Sequence, residues 1–166
     1  DASSLETLLI VGGGNLVDVL RQWDQLRPLD PQKTHWQCIE LLQYTFEVIS
    51  HWFPRWNRID STAAFQIALN QGFSTAVPSL VSIRSFYGPD DDDDLPLDWR
   101  TTSDSLAGKL CNDTKADELV LLKSCPIDET WDSQTLISQG IIDESFVAFR
   151  DRNWKLRIVS ATANEQ

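Results

Sequence analysis

Asp104 lies in the run Thr101-Thr102-Ser103-Asp104-Ser105, where hydroxyls and a carboxylate gather just before an apolar pattern of helical spacing at Leu106, Ala107 and Leu110. The first turn of a helix leaves backbone N–H groups unpaired and carries a partial positive charge, which makes it a place to hold an anion. Asp104 beside such a turn is a candidate for organising cations around a phosphoryl group. The same pattern also describes an ordinary helix cap, in which a side-chain oxygen does no more than accept from the first N–H groups. A second motif is therefore needed. It is the string LLIVGGG at 8–14, four apolar residues running into Gly12, Gly13 and Gly14, followed by the helical pattern NLVDVLRQWDQL. A buried strand that ends in glycines lets a ligand approach the backbone with no side chain in the way. The spacing excludes a dinucleotide fingerprint, which needs glycine at the position of Val17, and a P-loop, which needs Gly-Lys-Ser/Thr after the glycines. Taken singly, a glycine run after a strand is also a common tight turn.

In this order and separation the two motifs resemble the amino acid kinase family. The matching strings are VGGGNLVDVLRQWD (11–24), THWQCIELL (34–42), LPLDWRTTSDSLA (95–107), ADELVLLKSCPID (116–128) and GIIDESF (140–146). The string around TSDS is the specific one, and it is most similar to the short branch that contains (aminomethyl)furanylmethyl phosphate kinase. The resemblance implies a three-layer αβα sandwich with a mostly parallel sheet, and transfer of the γ-phosphoryl group of ATP, with Mg²⁺, to an acidic small molecule bearing a phosphate or carboxylate. It further implies that Gly12, Gly13 and Gly14 hold the acceptor's acid group or the moving phosphate. Asp104 would organise the cations, with Lys123 as the matching lysine, and Ser103 and Ser105 would serve the nucleotide or its Mg²⁺. Arg21, two helical turns beyond Gly14, could reach an acidic acceptor, although Asp18 and Asp24 at helical spacing offer it ion pairs instead. No protein-held metal set is expected.

Two departures bear on this. Family members begin with a lysine strand and a K-x-G-G-S turn, whereas this chain starts at Asp1 a few residues before its triple glycine and contains no Met, so a fragment or processed product is expected. The strand after Ala116 ends in KSCPID where relatives carry an Asp-Gly pair that contacts nucleotide. A non-catalytic nucleotide- or anion-binding relative is thus one alternative, and an oligomeric protein that stores metal oxyanions on the same fold is another.

Composition bounds the partners. With 166 residues, 42% of them hydrophobic, and seven tryptophans, the chain suits one domain with a sizeable core, 1–166, and the family implies a homo-oligomer. A formal net charge of −11 argues against nucleic acid and anionic membranes as partners, because both reward clustered Lys and Arg. No apolar run approaches the roughly 20 residues that span a bilayer. Cys38, Cys111 and Cys125 form no C-x-x-C pair and no disulfide framework, which fits a reducing cytoplasm. His35 and His51 have no partners at zinc-ligand spacing and are expected to be packing or helix-surface residues. The acidic run 90–94 between two prolines has no EF-hand spacing and is expected to be a solvated loop, an insertion between halves of one domain.

The elements that must position these residues alternate. A strand at 7–11 leads to a helix at 15–26 stopped by Pro28. Pro31 opens a long helix to about Trp52, with Trp36, Ile39, Leu42 and Phe46 on its apolar face, and Pro54 closes it. A helix at 62–70 has Asp60 or Ser61 as cap and Gly72 as stop, and a strand is expected at 74–83. After the helix from Ser103 come a strand at 118–122, a short helix at 144–149 and a final strand at 155–160. Strands alternating with helices predict an α/β fold with a mostly parallel sheet.

Overall fold

A computed structural model of the protein describes residues 5–91, 94–128 and 130–161. Two compact units divide it, Asp1–Trp99 and Arg100–Gln166. Each contains a small parallel sheet with helices, so the architecture is α/β.

In the first unit, β1 (Leu8–Leu9), β3 (Ser79–Val81) and β2 (Asn57–Ile59) form a parallel sheet with β3 in the centre. The register pairs Leu9 with Leu80 on one side and Arg58 with Leu80 on the other. Parallel neighbours require crossovers. Here α1 (Gly14–Leu26) and α2 (Pro31–Trp52) lie between β1 and β2 in the chain, and α3 (Thr62–Gln71) lies between β2 and β3. The long helix starts where the sequence says it must: Asp30 accepts from the N–H of Lys33 at 2.9 Å and Pro31 occupies the first turn, where its missing N–H costs nothing. His35, Ile39, Leu42 and Phe46, spaced four, three and four apart, form its buried stripe. Trp36 is only half-buried, stacked on Tyr87 with 5.3 Å between ring centroids. Ser61 caps α3 and Gly72, at φ +90°, ends it.

The strand expected at 74–83 is three residues long. Pro78 has no N–H to give a ladder, and the hydroxyl of Ser74 accepts from the N–H groups of Ala76 and Val77, turning the chain before it can extend. Beyond Val81 the chain closes into a 3₁₀ turn, Ile83–Ser85. The strand expected at 7–11 likewise pairs only over Leu8–Leu9.

The second unit is built around α4 (Ser103–Thr114), buried along Asp104, Ser105, Leu106, Ala107, Gly108, Leu110 and Cys111. Parallel strands β4 (Glu118–Lys123) and β5 (Lys155–Ser160) pair over six residues, from Glu118 with Lys155 to Lys123 with Ser160. Leu119 and Leu121 alternate inwards on β4. Between the strands lie α5 (Ser133–Ser138), capped by Asp132, and a 3₁₀ helix, Glu144–Phe149, capped by Asp143. Phe146, Phe149 and Trp154 form an aromatic cluster, and a Cβ at Gly108 would stand 2.7 Å from the Phe149 ring, which is why α4 carries glycine there.

Cys38, Cys111 and Cys125 are free thiols. Among the described residues no helix is long and apolar enough to cross a membrane. Of the acidic run, Asp92 and Asp93 lie outside the described residues; Asp90, Asp91 and Asp94 are exposed.

Candidate functional site

The second unit brings Asp104 and Lys123 together. Lys123 ends β4, Asp104 occupies the second position of α4, and the Lys123 Nζ lies 2.6 Å from Asp104 Oδ2. Their side chains are 17% and 12% exposed, so Lys123 is not the solvated strand-end lysine that its position allows. Burial pushes the Asp104 carboxyl above the ordinary aspartate range, the Lys123 ammonium opposes this, and the nearby Asp143 charge reinforces it.

Asp104 does not cap the helix. Thr102 is the N-cap residue, its hydroxyl accepting from the Asp104 N–H at 3.5 Å. The anion seated at the helix start is a carboxylate of the chain itself, that of Asp143. Asp143 Oδ2 accepts from the N–H and hydroxyl of Thr102 at 2.8 and 2.7 Å and from the N–H of Ser105 at 3.1 Å. Its Oδ1 accepts from the Ser105 hydroxyl and from the N–H of Phe146 at 3.0 Å. Ser105 is fully buried and its hydroxyl is committed to this carboxylate, while Ser103 is half-buried. Thr101 is buried too, donating to Ser145 at 2.9 Å. Sequence reasoning missed Asp143. Its cap position ahead of Phe146 is a local signal, but its grip on Thr102 and Ser105 joins segments about forty residues apart, which no spacing rule reads.

The first unit holds the glycine turn. Gly13 is the N-cap residue of α1 and makes no side-chain cap bond; Gly14 follows at φ +52°. A Cβ on Gly13 would fall 2.0 Å from Val17 Cγ2, and Gly14 needs the left-handed region, so both glycines have reasons inside the chain. Gly12 and Gly14 are exposed, leaving the backbone there accessible. Arg21 pairs with Asp18 at 3.0 Å on the surface and lies 5.2 Å over the Trp99 ring. Asp24 is engaged elsewhere, accepting from the Trp99 indole N–H at 2.8 Å and from the N–H of Leu29 at 2.7 Å.

His35 is buried in the same unit, with Nε2 2.9 Å from the Tyr87 hydroxyl; burial lowers its pKa, and a hydrogen bond to the Asp98 backbone raises it in part. His51 is exposed and its Nδ1 lies 2.7 Å from the Glu47 carbonyl, to which it donates. Both are packing or helix-surface histidines. A cavity of about 300 Å³ lies apart from the sequence candidates, lined by His51, Phe53, Pro54, Trp56 and Arg58 among others.

Among the described residues no group of three or more His, Cys, Asp or Glu side chains could hold a metal ion. The two carboxylates at the start of α4 are already engaged, Asp104 by Lys123 and Asp143 by five donors. These residues do not fit a protein-held Mg²⁺. No known family model matches the chain, and no curated protein matches it.

Proposed function

We propose that the protein is an ATP-dependent small-molecule kinase of the amino acid kinase type, passing the γ-phosphoryl group to an acidic acceptor within a three-layer αβα fold. The observation that carries this reading is the Lys123–Asp104 pair, 2.6 Å long and largely withdrawn from water. Phosphoryl transfer asks little covalent work of a protein; it asks for positioning and for charge placed where charge develops. An ammonium has three donors. One is spent on Asp104, which fixes the direction of the Lys123 side chain, and the other two can face phosphoryl oxygens. Asp104 is a positioning carboxylate here, not a base, because the ammonium beside it is the group that meets phosphate. The exposed backbone at Gly12 and Gly14, with the uncapped start of α1, supports a role in holding an anion. Any Mg²⁺ would arrive already bound to the nucleotide's phosphates.

A second reading is a non-catalytic relative of the same fold. What favours it is the Asp143 carboxylate at the start of α4, where a nucleotide phosphate would otherwise be held by Thr102 and Ser105. A screen for ADP release with MgATP against phosphorylated and carboxylated metabolites separates the two. Acceptor-dependent ADP release supports the kinase; ATP binding without acceptor-dependent release supports the second reading.

A further inference from the structure

Asp143 is heavily bonded within the second unit. Its carboxylate takes five donors from Thr102, Ser105 and Phe146. Thr102 and Ser105 bracket Asp104, so the first turn of α4, with Asp104 at its second position, is held by the Asp143 side chain. Ser105 is fully buried and Thr102 half-buried, so these bonds form away from most solvent, where hydrogen bonds to a charged group are strongest.

We propose that Asp143 is the positioning residue for the Asp104–Lys123 pair, fixing the first turn of α4 from which Asp104 meets Lys123. The claim rests on the kinase reading for its effect on turnover, and on geometry alone for its effect on the pair. Without Asp143 the first turn of α4 loses its anchor and the Asp104 carboxylate is free to leave Lys123. A misplacement on the order of 1 Å at a reacting centre costs up to about a hundredfold in rate.

The test uses Asp143→Asn, Ser105→Ala, Asp104→Asn and the double variant Asp143→Asn/Asp104→Asn. An amide offers one oxygen where the carboxylate offers two, so Asp143→Asn cannot serve both sets of donors. Ser105→Ala removes a single bond and guards against a misfolded Asp143 variant. The expected result is a fall in kcat of about tenfold or more for Asp143→Asn, a smaller fall for Ser105→Ala, and KM for ATP within about twofold of wild type. The double variant should turn over no more slowly than Asp104→Asn alone, because the removed residues act as one unit. Multiplicative losses in kcat would overturn the proposal. Should the wild type show no turnover, the kinase reading falls and the urea-unfolding cycle of wild type, Asp143→Asn, Asp104→Asn and their double variant decides the positioning claim: coupled stabilities support it, additive ones overturn it.

Discussion

Burial raises the proton affinity of the Asp104 carboxyl more than Lys123 at 2.6 Å lowers it, so the folded protein holds this proton to a higher pH than the unfolded chain does. The stability it contributes is fully present below the unfolded aspartate pKa and is lost as pH rises through the folded one. An ionised Asp104 is thus retained at a cost in stability. Asp104→Asn keeps an acceptor for Lys123 and has no proton to lose. Urea unfolding from pH 3 to 7 should show the wild type losing stability relative to Asp104→Asn as pH rises; a wild type that gains instead would make the pair a stabilising ion pair. Lys123→Met should behave in the opposite way. It strands a buried carboxylate, and should destabilise at neutral pH by about 3 kcal/mol, far beyond the few tenths of a surface lysine. Much of that loss should be recovered once acid protonates Asp104.

Elements were legible where their limits are set by local chemistry. Asp30 and Pro31 fix the start of α2, Ser61 and Gly72 bracket α3, and the alternation of β4 is plain in Leu119 and Leu121. What failed was extent and pairing. Apolar residues at 74–83 look like one strand, yet Pro78 and the Ser74 turn shorten it; β2 is three residues with only Ile59 buried, too little pattern to see. Likewise α5 buries only Leu136, so no apolar stripe announces it. For the site, Asp104 and Lys123 were both visible as candidates, whereas Asp143 was not, because its partners are set by folding. The close approach at Gly108 gives an element-scale prediction. Gly108→Ala gains helix propensity of about 1 kcal/mol but drives a methyl into the buried Phe149 ring, so a net loss of about 1–2 kcal/mol should appear in unfolding midpoints. An unchanged or raised midpoint would mean that the ring yields freely.

At the scale of the molecule, a net charge of −11 sets a field that repels nucleotides until they are close to local cations. Salt screens such a field, with a Debye length of about 8 Å at about 0.15 M. KM for ATP should therefore fall as ionic strength is raised towards that value, and a rise would contradict this account of the field. The central claim concerns one carboxylate and is tested by one comparison, turnover and melting temperature of Asp104→Asn against wild type at neutral pH. The account predicts a melting temperature equal to or slightly above wild type, together with a fall in acceptor-dependent ATP turnover of roughly a hundredfold or more, about 2.7 kcal/mol of transition-state stabilisation. An Asp104→Asn protein with wild-type turnover would contradict it.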